Sequence, residues 1–242
     1  MEDCVLIYYK LSPTQLETKA EEVLQDFDSE RLQKPKPLDV YDFVDFYMHL
    51  PYDWMNITPD QSVLGFSAFN DGYWWEWKNG TDWKNGDLPV KTEIKNGTII
   101  IDNSLINGNN RGCENFTVIH ECFHQLLHQK SFSRARHGIH QCNTKDFYAT
   151  LPSTNGWSTR AKIEWQANAC TTAFLMPRNA VNNVFQETFH SNNKVILRNN
   201  TRPIIEKMAH DFNSSYAAMC YRLNKLDLLT IPNNNLKSIY NF

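Results

Sequence analysis

The stretch that decides the fold is FTVIHECFHQLLH, residues 116–128, because it contains the pattern His120-Glu121-x-x-His124. Residues four apart on an α-helix lie about 6 Å apart along its axis and about 40° apart around it, so two imidazoles at this spacing can bind one ion. Glu121 lies about 100° further around, where its carboxylate can contact a metal-activated water without occupying a metal position. The pattern predicts a zinc site with Glu121 as the general base.

The same stretch has the periodicity of a helix, which the pattern requires. Ile119, Phe123, Leu126 and Leu127 form a predicted apolar stripe beside the histidines, and neither Pro nor Gly occurs between residues 116 and 129. The alternative is that His120 and His124 are ordinary hydrogen-bonded histidines without a metal. A catalytic zinc takes three protein ligands and leaves a fourth position open, so the metal hypothesis needs one more ligand.

The candidates for the third ligand are His128, His137, His140, Cys142, Asp146 and Glu164. His128 lies another helical turn, about 6 Å, beyond His124, so His120, His124 and His128 cannot all reach one ion on a straight helix, and we expect His128 to be a rim or packing residue. Glu164 begins a predicted helix, and Asn168, four positions on, can accept a histidine N–H behind the metal. Glu164 is the better candidate, although a solvated helix residue would give the same pattern.

Two of these histidines have a second possible role. His137 and His140 lie three apart in a predicted loop between residues 129 and 157, where they could contact substrate or stabilise the transition state. Tyr148, in the same loop, is a further candidate for this role. Cys122 lies inside the motif, but its position on the helix points away from the histidines, so we expect an inert thiol.

Composition indicates a globular chain of one domain, residues 1–242. It is 41% hydrophobic and 21% charged, with a formal net charge of -3, which gives no reason to expect nucleic-acid or membrane binding. The N-terminal MEDCVLIYYK fits neither a signal peptide nor a membrane span, so we expect a cytoplasmic protein. Six cysteines without a CxxC pair do not indicate disulfides in that compartment.

The order of the predicted elements is α+β: a mostly helical fold with a small antiparallel sheet of about three strands. Residues 1–61 hold two helices, one capped at Ser12 and running to about Asp28, the other reading VYDFVDFYMHL and ending at Pro51. Residues 62–102 hold the strands SVLGFSAF, GYWWEW and GTIIID. The two metal-site helices occupy residues 116–177, and C-terminal helices occupy 178–242. The four tryptophans between residues 74 and 83 could form a binding surface, but half-buried packing is commoner.

FTVIHECFHQLLH, followed by EWQANACTTAFLMP, resembles the ImmA/IrrE family of metallopeptidases. Members join a Phe-Thr-led His-Glu-x-x-His helix to a Glu-x-x-Ala-Asn helix that ends in Leu-Met-Pro. The resemblance implies a zincin-like fold with one zinc ion bound by His120, His124 and Glu164, and Glu121 as general base. It also implies an endopeptidase that cleaves a protein partner, typically a separately encoded helix-turn-helix repressor of a mobile element or stress regulon.

The sequence departs from the family pattern at three places. Cys122-Phe123 replaces the usual Leu-Gly, and Asn115 stands where the family has an arginine. The gap between His124 and Glu164 is longer than usual, which implies an enlarged active-site loop.

Two other functions fit the sequence. One is a zinc-containing regulatory module that sequesters its partner without cleaving it. The other is DNA binding by the last helix pair, MAHDFNSSYAAMCYRL, whose second helix offers Arg222 and Lys225 as its only basic residues.

Overall fold

The computed structural model describes residues 9–82, 84, 86–106, 111–132, 139–143, 158–191 and 193–232. In these residues the helices are α1 (Pro13–Asp28), α2 (Val40–Asp42), α3 (Arg111–Phe132), α4 (Thr159–Leu175), α5 (Arg178–Phe189), α6 (Arg202–Asp211) and α7 (Tyr216–Lys225). The strands are β1 (Tyr52–Met55), β2 (Val63–Ala68), β3 (Gly72–Glu76), β4 (Val90–Ile94), β5 (Ile99–Asp102), β6 (Ile139–Asn143), β7 (Val195–Ile196) and β8 (Leu229–Thr230). The predicted α+β class is confirmed.

α1 begins with a capping box. The Gln15 amide N–H donates to Ser12 Oγ over 3.2 Å, and the Ser12 amide N–H donates to the Gln15 side chain over 2.9 Å. Pro13 occupies the first turn, where its missing N–H costs nothing. The buried face of α1 packs against α4 through Leu16, Ala20 and Leu24. The predicted bounds of this helix are confirmed.

The second predicted helix is present but irregular. α2 continues directly into a π-helical segment, Phe43–Met48, and ends at His49, whose φ of 51° is left-handed. Phe43 stacks on Tyr47 with ring centroids 5.2 Å apart and meets the α1 residue Phe27 edge-on at 5.1 Å. Aromatic packing against α1 therefore holds this irregular turn in place.

The sheet next to the site differs from the predicted antiparallel one, because it is mixed. Its order is β1-β5-β2-β6, with β1 parallel to β5 and the other neighbours antiparallel. The predicted strand GYWWEW is β3, which pairs with β4 in a separate two-stranded sheet. β1 was not predicted because YDWM is short, follows Pro51 and lacks a clear apolar alternation.

In the Trp-rich segment, one tryptophan of β3 is packed and its neighbour is exposed. Trp74 lies 4.7 Å from the buried ring of Phe66, and its indole N–H donates to the Ile57 carbonyl over 3.3 Å. Trp75 alternates to the other face of β3 and is 57% exposed.

α3 lies between the sheet and α4, and its N-terminal end contacts the turn between α6 and α7. A Cβ on Gly112 would lie 2.7 Å from the backbone nitrogen of Ser215, so this helix end needs a glycine for its close approach. Asn115, at the position of the family's arginine, donates from Nδ2 to the Asn213 carbonyl over 3.3 Å. These contacts anchor the motif helix at its start.

The second helix of the C-terminal pair, α7, buries one of its two basic side chains. Arg222 is fully buried, and its guanidinium donates to the Met176 carbonyl over 2.8 Å and to both carboxylate oxygens of Glu17. Of the two basic residues that this helix offered for DNA binding, only Lys225 is exposed. The hypothesis was wrong about Arg222, because this side chain joins α7 to α1 and to the end of α4.

Two remaining predictions concern the whole chain. Among the described residues, Cys113, Cys122, Cys170 and Cys220 form no disulfide with one another. No helix in the described part of the chain is both long enough and apolar enough to cross a membrane. The single domain and the cytoplasmic location stay predictions.

Candidate metal centre

The motif stretch is helical, as predicted, and its functional side chains are fully buried. His120, Glu121 and His124 lie in the middle of α3, and each has no exposed surface. The predicted apolar stripe is only partly correct: Ile119 and Phe123 are buried, whereas Leu126 is 43% exposed. The helix turns its histidine face toward α4.

α4 supplies the third group. It begins after Ser158, whose Oγ accepts the Ala161 amide N–H over 3.1 Å, and it carries Glu164 in its second turn. Glu164 Oε2 lies 3.2 Å from His120 Nε2, and Glu164 Oε1 lies 3.5 Å from His124 Nε2.

The three side chains form a compact donor set. His120 Nε2 and His124 Nε2 are 2.8 Å apart, and one potential ligand atom from each of His120, His124 and Glu164 lies within 4.8 Å of the others. Two imidazoles and one carboxylate are the donor set of a catalytic metal site with an open position. Elsewhere among the described residues, His, Cys, Asp and Glu form no other such group. The arrangement therefore fits a metal ion.

The electrostatics of the site support the same interpretation. Burial opposes a charge on His120, but the Glu164 carboxylate, with contributions from Glu121 and Asn168, raises its pKa above the ordinary value of 6.5. Burial, reinforced by the charge of Glu164, raises the pKa of Glu121 to about 8. The buried carboxylate of Glu121 and the partly buried carboxylate of Glu164 face two imidazoles here, and a divalent cation would balance that charge. The predicted hydrogen bond from a ligand histidine to Asn168 stays a prediction.

Glu121 is held by β2. Ser67 Oγ donates to Glu121 Oε2 over 2.7 Å, while the buried Oε1 has no hydrogen-bond partner among the described residues. A Cβ on Gly65 would lie 3.2 Å from Oε1 and 2.7 Å from Thr117 Cγ2, so only glycine lets β2 approach α3 this closely. β2 therefore orients one carboxylate oxygen and leaves the other available.

Of the two roles expected for His128, rim or packing residue, its burial excludes the rim. It is 1% exposed, and its Nδ1 lies 3.0 Å from Nδ1 of His124. Its Nε2 lies 3.0 Å from Oε1 of Gln166 on α4. The expectation that His128 does not join the ligand cluster is consistent with the structure, because that cluster contains Glu164 instead.

The departure inside the motif, Cys122-Phe123, is part of the buried core. Cys122 is buried, and burial raises the pKa of its thiol far above the usual value, so the thiol stays protonated and inert as expected. Phe123 is 1% exposed and meets the α4 residue Phe174 edge-on, with ring centroids 5.8 Å apart. A large ring thus fills the contact between α3 and α4 at this position.

The candidate substrate contacts remain predictions. His137 and Tyr148, and the candidate ligand Asp146, lie outside the described residues, as does most of the predicted enlarged loop. His140 and Cys142 lie in β6, of which only the backbone is described.

Ser67 and Gln166 are the residues near the site that sequence reasoning missed. Ser67 had a weak signal, as a polar residue on an otherwise apolar strand, LGFSAF. Gln166 had none, because a single glutamine in a helix is ordinary.

Comparison with known proteins agrees with this geometry. The family model described as the IrrE N-terminal-like domain, peptidase M78, matches residues 98–224, a little more than half of the chain. The match spans β5, α3 and α4, and so includes both halves of the donor set. No curated protein matches the sequence. The chain belongs to the ImmA/IrrE family of metalloendopeptidases, as the two sequence blocks predicted.

Proposed function

We propose that the protein is a zinc-dependent endopeptidase that hydrolyses a peptide bond in a protein partner. The observation that carries this proposal is the convergence of His120, His124 and Glu164 beside the buried carboxylate of Glu121. A metal site placed next to a general base is the arrangement that metal-assisted hydrolysis requires.

Zinc is the metal that this donor set fits best. Two imidazoles with one carboxylate are characteristic of catalytic zinc in peptidases, whereas calcium and magnesium prefer sites made of oxygen atoms. His120, His124 and Glu164 would hold the ion. When bound, it supplies Lewis-acid chemistry, which polarises a carbonyl and lowers the pKa of a bound water to about 7.

Glu121 moves the proton in the proposed reaction. Its Oε2 is occupied by Ser67, so Oε1 accepts a proton from the attacking water and later delivers it to the leaving amine. Complete burial excludes bulk water from this carboxylate. The pKa of about 8 applies without a cation, and a neighbouring divalent ion lowers it toward the ionised form that a base needs.

The proposed substrate is a separately encoded helix-turn-helix repressor, on the basis of the family resemblance alone. By analogy at the level of the fold, an edge strand of the sheet would hold the substrate in an extended conformation. β2 is not that edge strand, because β6 pairs with it along Val63–Ala68 on the side opposite β5. The outer strand on this side is therefore β6, which follows α3 in the chain.

The test is Glu121→Gln, which keeps the shape of the side chain and removes the base. The variant should retain zinc, measured by metal analysis after gel filtration, and should lose cleavage of the repressor encoded beside this protein. Glu114→Gln is the matched control, because Glu114 lies on the same helix and contacts Tyr41 instead of the site. It should retain both properties.

The outcomes separate the proposal from its alternatives. If Glu121→Gln still cleaves, the general base is wrong, and if Glu164→Ala binds zinc as tightly as the parent, the ligand set is wrong. A stable complex of the parent protein with the repressor, without fragments, would instead support the sequestering module.

A further inference from the structure

His128 has a hydrogen-bonding environment that a packing residue does not need. It lies one helical turn beyond His124 and is almost completely buried. Both of its ring nitrogens have partners, His124 Nδ1 on one side and Gln166 Oε1 on the other, each at 3.0 Å. The ring therefore connects a predicted metal ligand on α3 with α4.

The direction of these hydrogen bonds follows from a backbone carbonyl. Gln166 Nε2 lies 2.7 Å from the carbonyl oxygen of Tyr9, and that oxygen can only accept. The amide nitrogen of Gln166 must therefore face Tyr9, which turns Oε1 toward His128. Because Oε1 also only accepts, Nε2 of His128 must carry the proton.

The tautomer of the predicted metal ligand His124 follows from that of His128. A neutral imidazole protonated on Nε2 has an unprotonated Nδ1, which accepts a hydrogen bond. His128 Nδ1 thus accepts from His124 Nδ1–H, and the lone pair of His124 is left on Nε2. That is the nitrogen 2.8 Å from His120 Nε2 and 3.5 Å from Glu164 Oε1.

We propose that His128 is a positioning residue for the metal centre: it fixes the tautomer and orientation of His124, and is itself fixed by Gln166 and the Tyr9 carbonyl. The proposal rests on the zinc site proposed above. Gln166 lies two residues after Glu164, so α4 provides both a ligand and the support for a ligand on α3. Partners of this kind change metal affinity by about 10–100-fold when they are removed.

The first test compares two substitutions of His128. His128→Phe fills the space of the ring without nitrogens, and it should weaken zinc binding about 10–100-fold in competition with a chelator. His128→Asn places an acceptor near the position of Nδ1, and it should restore most of that affinity. Equal loss in both variants, or no loss in His128→Phe, would show that the ring only fills space.

The second test uses a matched pair and covers the case in which His128→Phe does not fold. Gln166→Met removes the anchor, whereas Gln125→Met removes a similarly buried glutamine of α3 that donates to the Ala68 carbonyl over 3.2 Å. Only Gln166→Met should weaken zinc binding. Equal effects of the two substitutions would overturn the proposal.

A third measurement separates this inference from the proposed function. The ¹⁵N chemical shifts of the His124 ring in the metal-free protein report which nitrogen carries the proton. The proposal expects that Nδ1 of His124 carries the proton in the parent protein and that this preference is lost in His128→Phe. A proton on Nε2 of His124 in the parent protein would overturn the proposal. If the parent protein does not bind zinc, the proposed function fails, while this measurement still decides the role of His128.

Discussion

Replacing Glu17 by Gln should destabilise the fold by about 3–5 kcal/mol, because it leaves the buried guanidinium of Arg222 without a counter-charge. Arg222 has no exposed surface, and Glu17 is 7% exposed. Three of the guanidinium's hydrogen bonds are made inside the protein, two to Glu17 and one to the Met176 carbonyl. Water cannot replace the lost partner at this depth, so the desolvation of Arg222 is no longer offset.

The expected loss is large enough to measure by two methods. In a chain of this size 1 kcal/mol moves the midpoint of thermal unfolding by about 2–4 °C, so Glu17→Gln should lower it by about 6–20 °C. Urea denaturation should give a matching fall in the free energy of unfolding. Glu22→Gln, at an exposed position of the same helix, is the control and should change stability by less than about 0.5 kcal/mol.

The same pair predicts a pH dependence. Burial acts to raise the pKa of Glu17, but hydrogen bonds and charge from Arg222 outweigh it, so the pKa is below the ordinary 4.5. The carboxylate therefore stabilises the fold above the unfolded-state value, and this contribution is lost as pH falls through the lower folded-state value. Glu17→Gln should abolish that part of the acid sensitivity. Equal stability of Glu17→Gln and Glu22→Gln at pH 7 would refute the reasoning.

Two further predictions concern the packing of α3. Phe123→Ala should cost about 3–5 kcal/mol in urea denaturation, because it leaves a cavity against Phe174, whereas the exposed Leu126→Ala should cost less than about 0.5 kcal/mol; similar losses would place Phe123 outside the core. Gly65→Ala should cost about 1–3 kcal/mol, since its Cβ would lie 2.7 Å from Thr117 Cγ2. Adding Thr117→Ser removes that methyl and should recover part of the loss; no recovery would locate the strain elsewhere.

The parts of the fold that the sequence predicted are those determined by neighbours along the chain. The start of α1 was predicted from Ser12 followed by Pro13, and its end near Asp28 from the apolar positions up to Phe27, which are all local signals. The spacing of His120 and His124 needs only helical geometry, which is local too. The choice of Glu164 as the third ligand needed information beyond its neighbours in sequence, because these did not distinguish it from a solvated helix residue. The second family block, EWQANACTTAFLMP, supplied that information.

The parts that could not be predicted depend on distant pairing. Whether β3 joins β2 or β4 is decided by hydrogen bonds between strands, and the Asn-Gly turns are compatible with either arrangement. Ser67 and Glu121 are 54 positions apart, and His128 and Gln166 are 38 apart. No periodicity within one element carries information about such contacts.

His128 shows how a correct geometric argument can give an incomplete conclusion. The rise of a straight helix places it too far along α3 to share an ion with His120 and His124, and the ligand cluster indeed takes Glu164 instead. The argument considered only direct ligation. Two helical turns separate His128 from His120, too far for both to bind one ion, yet the single turn from His124 brings the Nδ1 atoms of His124 and His128 within 3.0 Å. A histidine that cannot reach the ion is therefore well placed to hydrogen-bond the histidine that binds it.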